Sequence, residues 1–260
     1  MDERELWTVT KGEGPVVAVA VHAGHALRPE IAQRMRLSDA ERLREEDPFT
    51  SVLTEVVATR VIAHRSRFEV DLNRPREGAV YVDPEQAWGL DVWRSPLPRA
   101  AIERSLEVWE RFYAMFEALL EEKRCRYGRF VVYDIHSYNH RRAGREGPVA
   151  DAVGNPEVNV GTGTMDRARW SSLVERFMAD LRGYDANGGV LDVRENVRFK
   201  GAYLSEFVHQ RFPESGCALA IEFKKTFMDE WTGEPDEARI AWLKEALAST
   251  LPGVLRELER

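Results

Sequence analysis

The longest apolar runs of this chain are three, and only the first has no charged residue within it. They occupy residues 15–21, 130–135 and 217–223, and are rich in Val, Ile and Ala. Runs of this length and composition are typical of strands that are buried on both faces of a parallel sheet. Shorter apolar segments predict three further strands, at residues 61–63, 68–72 and 189–193.

Helical spacing of apolar residues predicts the elements between these strands. The predicted helices are residues 47–60, 100–124, 171–182 and 236–258, the last interrupted at Pro252. The first would begin at Asp47, an acidic N-cap that is followed by Pro48. Because strands alternate with helices, the pattern predicts an α/β fold. We expect one domain over residues 1–260, with a mostly parallel mixed sheet and helices on both faces.

Two segments match no regular element. Residues 77–99 contain three prolines, Gly89 and the aromatic residues Trp88 and Trp93. A connection of this length is either a pocket wall or lid, or an excursion that packs on the domain. Residues 139–164 are polar and glycine-rich, and we predict a loop there.

Composition restricts the class of protein. The chain has 260 residues and a net charge of -7, with acidic and basic residues mixed along its length. This balance argues against a nucleic-acid or anionic-membrane surface and favours a small-molecule partner. No apolar run is long enough to span a bilayer, and the charged N-terminus has no signal-peptide core, so we expect a cytoplasmic protein. Cys125 and Cys217 are too far apart in sequence to indicate a disulfide framework or a cysteine metal site.

Three residues with chemical potential lie at or near the carboxyl ends of the long apolar runs. His22 and His136 follow the first and second runs, and Glu222 lies inside the third. Ligands of open α/β sheets bind at these strand ends. Two neutral imidazoles and one carboxylate, with an open position for water, form the ligand set of a zinc hydrolase. We therefore predict a metal site, although each histidine alone is more typical of a hydrogen-bonded structural residue.

The carboxylate ligand is open at this point. Asp47 is the first candidate, and the alternatives are Glu45, Glu46 and Glu30; an acid at position 47 could equally be only an N-cap. Asp134 lies two residues before His136 on the same strand face, where it could accept the imidazole proton and orient the ring. Glu222 is a carboxylate within an apolar run, which suggests a general base beside the metal.

An arginine-rich segment, SRFEVDLNRPR, occupies residues 66–76. It contains Arg67, Arg74 and Arg76, and an arginine with an adjacent asparagine, as in Asn73–Arg74, could bind a substrate carboxylate through paired, charge-assisted hydrogen bonds. The alternative is that the arginines pair with the neighbouring acids Glu69 and Asp71.

The ordered motifs together resemble a known family. HAG at position 22, EEDPFT, SRFEVDLNRPR, DIHSYNHRR, NVGT, FKGAY and AIEF are similar to the N-formylglutamate amidohydrolase family over residues 16–228. That family is related to zinc carboxypeptidases and aspartoacylases, so the resemblance implies a zinc-carboxypeptidase-like three-layer domain. It also implies zinc on His22, Asp47 and His136, a carboxylate-binding pair Asn73–Arg74, and Glu222 as general base.

The resemblance further implies hydrolysis of a small N-acyl amino acid such as N-formylglutamate. Arg67 would stabilise the oxyanion, and Arg141 or Arg142 would contact a second carboxylate. The family usually has serine or threonine at Ala23 and glycine at Ala202, so the acyl group and the amino acid stay open. The alternatives are a carboxypeptidase, a peptidoglycan amidase and a non-catalytic binder of an acidic metabolite.

Overall fold

The computed structural model describes residues 5–185 and 189–260. Residues 1–4, which belong to the N-terminal stretch discussed above, lie outside the described residues. Seven strands form one sheet; they are β1 (Trp7–Thr10), β2 (Val16–Ala20), β3 (Thr59–Ala63), β4 (Phe130–Tyr138), β5 (Val158–Gly161), β6 (Val193–Glu195) and β7 (Gly216–Lys224). Their order across the sheet is β1-β3-β2-β4-β7-β5-β6.

The helices surround this sheet. They are α1 (Pro29–Ala32), α2 (Asp39–Glu45), α3 (Thr50–Leu53), α4 (Arg99–Tyr127), α5 (Ser171–Gly183), α6 (Tyr203–Arg211), α7 (Glu237–Ala248) and α8 (Leu251–Leu258). No helix in the described part of the chain is long and apolar enough to cross a membrane.

The sheet is mixed and mostly parallel, as predicted. The outer strand β1 is antiparallel to β3, and β5 is antiparallel to β7. The pairs β2–β3, β2–β4, β4–β7 and β5–β6 are parallel. The three long apolar runs lie in β2, β4 and β7, which are neighbours in the centre, where both faces of a strand are covered.

Helices cover both faces of the sheet, which confirms the predicted layers. On one face, Tyr133 and Leu219 pack with helix residues that include Phe177, Leu243 and Val254. On the other face, Val19 and Val132 pack with helix residues that include Phe112, Phe116 and Leu204. Alternate residues of each central strand point into different cores, so a strand end presents successive side chains to opposite faces.

The helix predicted at residues 47–60 is wrong in its start and length. Helix α3 spans only Thr50–Leu53 and is followed by a 3-10 turn. Its N-cap is Phe49, in the left-handed region at φ 67°, so Asp47 does not cap the helix. Residues 59 and 60, which the pattern placed in that helix, begin β3.

The strand predicted at residues 68–72 is also wrong. The backbone turns here, since the amides of Glu69 and Val70 donate to the carbonyl of Ser66. Phe68 and Val70 are buried in different apolar clusters, which explains the alternating pattern without strand pairing. Glu69 is also buried, and its carboxylate is satisfied there by a 2.8 Å hydrogen bond from the Arg28 guanidinium.

Several other boundaries differ. The segment predicted as a loop at residues 139–164 contains β5, and the strand predicted at 189–193 lies at Val193–Glu195. Residues 77–99 pack on their own apolar cluster through Tyr81, Val92 and Trp93. The same segment leaves Trp88 more than half exposed, so it is a packed excursion that also carries a pocket wall.

Candidate metal centre and active site

The carboxyl ends of β2, β4 and β7 meet at one edge of the sheet. His22 lies two residues beyond β2, and His136 lies near the end of β4. His136 and Glu222 are register partners on β4 and β7, so their side chains are on the same face. All three residues line one cavity of about 530 Å³. Convergence at this edge follows from the parallel order of the strands.

Asp47 completes a cluster with the two histidines. Its Oδ2 lies 3.4 Å from His22 Nδ1 and 3.1 Å from His136 Nδ1. One ligand atom from each of the three residues lies within 4.8 Å of the other two, and all three residues are buried. A backbone hydrogen bond holds the segment that carries Asp47 beside the histidines, because the Asp47 amide donates to the His22 carbonyl.

The outer nitrogens of both imidazoles are held by carboxylates. His22 Nε2 lies 2.7 Å from Asp71 Oδ1, and His136 Nε2 lies 2.8 Å from Asp134 Oδ1. Ionised carboxylates only accept hydrogen bonds, so Nε2 carries the proton in both rings. In neutral rings both Nδ1 lone pairs then face Asp47. Carboxylates in this outer position fix the tautomer and the ring orientation of metal-binding histidines.

The cluster fits a metal cation. Nδ1 of His22 is buried and has no hydrogen-bond partner, which is costly for a polar atom unless a ligand satisfies it. Burial opposes ionisation of Asp47, but the imidazoles of His136 and His22 beside it lower its pKa well below the ordinary value. Burial opposes protonation of His136, but Asp134 and Asp47 raise its pKa well above the ordinary value. The surroundings therefore favour positive charge between these side chains, supplied by a proton or by a metal cation.

The other candidate carboxylates have different partners. Glu46 is buried and accepts hydrogen bonds from Ser66 and from His25, the latter at 2.5 Å. Glu45 pairs with Arg44 at 2.7 Å, and Glu30 is on the surface beside Arg28 and Arg104. Asp47 is therefore the acid that the fold brings to the two histidines.

Glu222 is a half-buried carboxylate on the cavity wall. Burial raises its pKa to about 7; the positive charges of His136 and Arg67 oppose this rise, and the negative charges of Asp47 and Asp134 add to it. A pKa near the working pH suits a group that takes and returns a proton. A divalent cation at the cluster would lower this pKa, because it stabilises the carboxylate.

The arginine-rich segment at residues 66–76 lines the same cavity. Arg67 donates to Asp71 Oδ2 at 3.0 Å, and its guanidinium stacks 4.7 Å from the centre of the Trp88 ring. Arg74 stacks on Tyr81 at 4.5 Å and donates to the Gln86 carbonyl. The alternative of pairing with neighbouring acids holds for Asp71, whereas Glu69 pairs with Arg28 instead.

Asn73 is closer to the histidines than the arginines are. Its Nδ2 lies 3.1 Å from His136 Nε2, and its Oδ1 accepts from the Leu204 amide. Asn73 therefore joins the pocket wall to the start of α6. Arg142 also lines the cavity. Arg141 lines a neighbouring cavity with Glu230 instead, because its backbone amide is bonded to that carboxylate.

Two residues of the site were missed by the sequence analysis in these roles. Asp71 was considered only as a partner for arginines, yet it holds His22 and also accepts from the Asn73 amide. The signal was an acid between apolar residues, the same signal that singled out Glu222. Lys225 is buried and lines the cavity just beyond β7, and nothing in its local sequence distinguishes it from the neighbouring Lys224.

Comparison with known proteins agrees with this geometry. The sequence pattern of the N-formylglutamate amidohydrolase family matches residues 14–228. The chain belongs to this family. An N-formylglutamate deformylase from Pseudomonas aeruginosa is 26% identical, over 95% of this chain and 96% of its own. This family member is accordingly an enzyme, a hydrolase that acts on an amide bond.

Solved structures show the same fold. A crystal structure of N-formylglutamate amidohydrolase from Ralstonia eutropha superimposes with a TM-score of 0.73 at 20% identity, covering 98% of this chain and 97% of that chain. The gene product Atu2144 from Agrobacterium tumefaciens gives a TM-score of 0.66 at 20% identity, covering 97% of this chain and 98% of that chain. The α/β architecture described above is thus shared nearly end to end.

Proposed function

We propose that this family member is a zinc-dependent deformylase that hydrolyses N-formylglutamate, or a closely similar N-acyl amino acid, to the free amino acid and the carboxylic acid. The observation that carries the proposal is the cluster of His22, Asp47 and His136 in one cavity with Glu222. Family membership supports the reaction class. The relative in Pseudomonas aeruginosa, named a deformylase, supports the formyl group.

Two imidazoles and one carboxylate are the donor set that zinc prefers in catalytic sites with three protein ligands. We assign His22 Nδ1, His136 Nδ1 and Asp47 Oδ2 as the ligand atoms. Zinc bound there would supply a Lewis acid for the amide carbonyl and would lower the pKa of the attacking water. The orphaned Nδ1 of His22 supports this assignment, since no protein group satisfies it.

Glu222 moves the proton. Its carboxylate accepts a proton from the attacking water and then donates it to the nitrogen of the leaving amine. Two features support this role: its place across from His136 in the register of β4 and β7, and a pKa near neutrality. Asp134 does not compete for the role, because it is fully buried and bonded to His136 and Ser205.

The arginines orient the substrate. Arg67 lies beside Asp71 with its guanidinium on the cavity wall, where it would stabilise negative charge on the carbonyl oxygen. Asn73 and Arg74 would bind the α-carboxylate, so that binding energy places the amide against the metal cluster. Arg142, at the exposed part of the wall, would contact a second carboxylate.

The first experiment measures zinc content and amine release together. We expect purified protein to hold close to stoichiometric zinc and to release amine from N-formylglutamate. His22→Ala and His136→Ala should each lose both, because two ligands do not retain the metal. His64→Ala is the control, since His64 bonds Thr8 outside the cavity. N-acetyl and N-succinyl amino acids and short peptides test the acyl group and the peptidase alternatives.

The proposal would be refuted by wild-type protein that stays metal-free and inactive after zinc is added. Zinc retained at wild-type levels in His22→Ala would contradict the assigned ligand set even if amine is released.

A further inference from the structure

Lys225 is a buried lysine that joins three parts of the site. It is 1% exposed and lies directly after the end of β7. Its Nζ donates to the carbonyls of Arg44 and Glu46, at 2.6 Å each. Its backbone amide donates to the Tyr138 carbonyl at the end of β4. One residue therefore ties together the strand of Glu222, the strand of His136 and the segment that leads into Asp47.

The two carbonyls need this donor. In a continuing helix the Arg44 carbonyl would accept from the amide of residue 48, but Pro48 has no N–H. The Glu46 carbonyl would accept from Thr50, whose amide is directed to Asp47 instead. The last turn of α2 thus leaves two buried acceptors, and the Lys225 ammonium satisfies both.

Burial of an ammonium group costs free energy, so a buried lysine indicates that its hydrogen bonds or its charge are needed at that place. Burial lowers the pKa of Lys225, while the charges of Asp47, Glu45 and Glu230 favour its protonated form. These acids belong to the segment that Lys225 binds or lie next to it. The lysine is thus matched in charge as well as in hydrogen bonding to the segment before the metal cluster.

Other contacts of the Asp47 segment reach different parts of the chain. The Glu46 carboxylate is bonded to His25 and Ser66 on the far side, and the Asp47 amide is bonded to His22. Neither contact reaches β4 or β7. The Asn139 side chain, directly after β4, donates to Glu45 Oε1 at 3.1 Å, and Lys225 links the backbone carbonyls of the Asp47 segment to the end of β7.

We propose that Lys225 is a positioning residue that sets the distance between Asp47 and His136 and thereby the zinc affinity of the centre. This inference rests on the proposed function only in that the bound ion is zinc. It adds a residue that contacts neither the metal ligands' side chains nor the reacting atoms, and that acts through the backbone of residues 44–46.

The chain contains a matched control. Lys123 is also buried, at 4% exposure, and its Nζ also donates to two backbone carbonyls, those of Gly12 and Gly14. These contacts join α4 to the loop before β2, away from the metal cluster. Loss of a buried lysine with two carbonyl bonds can therefore be compared at a remote position and at the site.

The test compares Lys225→Met with Lys123→Met. Zinc dissociation constants are measured by competition with a chromophoric chelator, and thermal unfolding is measured on the metal-free proteins. We expect both variants to lose thermal stability, whereas only Lys225→Met should bind zinc about tenfold or more weakly, the lower end of the range for outer supports of metal ligands. With zinc in excess, KM for the substrate should stay near the wild-type value. Lys225→Gln, which keeps an N–H₂ donor without charge, serves if the methionine variant does not fold.

Unchanged zinc affinity in a folded Lys225 variant would overturn the inference. A raised KM at unchanged zinc affinity would also overturn it, since Lys225 would then contact substrate. Equal loss of zinc affinity in Lys123→Met would show a global effect of stability. Wild-type protein that binds no zinc would refute the proposed function instead, so the two failures are distinguishable.

Discussion

The two sides of the site are built in different ways. On the sheet side, Asp134 and His136 lie on β4, and Glu222 lies across from His136 on β7. Strand register alone places these three groups. On the loop side, Asp47 and Asp71 come from irregular segments, and separate hydrogen bonds hold them, from the Asp47 amide to the His22 carbonyl and from His22 Nε2 to Asp71.

This difference predicts where the site is sensitive. Register is shared by nine paired residues between β4 and β7, so one substitution on the sheet side leaves the backbone in place. A carboxylate on the loop side lacks the support of strand register, because the hydrogen bonds that it makes itself help to hold its segment in place. Substitutions of residues that are not themselves metal ligands should therefore weaken metal binding less on the sheet side than on the loop side.

The largest effect is expected on the sheet side, from Glu222→Gln. The amide cannot take a proton from water, so kcat should fall on the order of a hundredfold or more while zinc content is unchanged. Activity and zinc content are measured on the same preparations. Glu45→Gln is the control, since Glu45 lines the same cavity but is paired with Arg44. Loss of zinc from Glu222→Gln would mean that Glu222 is a ligand and that the two sides are not separate.

The second prediction compares Asp71→Asn with Asp134→Asn. Each carboxylate holds one imidazole, and removing such a partner typically weakens metal binding 10–100-fold. The loop-side variant should lose more, because Asp71 also binds Arg67 and Tyr81, whereas Asp134 otherwise binds only Ser205 among its described side-chain partners. Zinc affinity by chelator competition decides the order. A larger loss in Asp134→Asn would contradict the greater sensitivity of the loop side.

The last prediction concerns the stability of the fold behind the sheet side and its dependence on pH, and not the activity at neutral pH. Nε2 of His209, on α6, accepts a hydrogen bond from the amide of Ala218. Ala218 lies in β7, before the residues of that strand that pair with β5. Burial lowers the pKa of His209 to about 4. Its contribution to the free energy of unfolding is thus complete above about pH 6.5 and is lost as pH falls from there towards 4.

Across that range the loss should be on the order of 3 kcal/mol. His209→Gln keeps an acceptor but does not titrate, so its stability should depend less steeply on pH between 6.5 and 4. Urea unfolding at a series of pH values measures the difference from wild type. Parallel curves for the two proteins would mean that protonation of His209 is not coupled to folding.

The fold could be predicted well where strands are buried on both faces. Residues 15–21, 130–135 and 217–223 became the central strands, because uninterrupted burial leaves an unmistakable apolar run. The secondary structure was predicted wrongly for segments whose residues pack in more than one cluster or also contribute to the site. Residues 68–72 alternate like a strand, yet the alternation reflects burial in two separate clusters. The helix predicted from Asp47 starts at Thr50, and the Asp47 side chain faces the two histidines instead.

The amino-acid sequence by itself determined that His22, His136 and Glu222 meet at one sheet edge. The reason is that strand ends and side-chain alternation are local properties of a parallel sheet. Only the tertiary structure decided that Asp47, rather than Glu46, faces the histidines and that Asp71 and Lys225 support the centre. Those choices depend on which buried donors and acceptors find partners across distant segments, and no local pattern records that pairing.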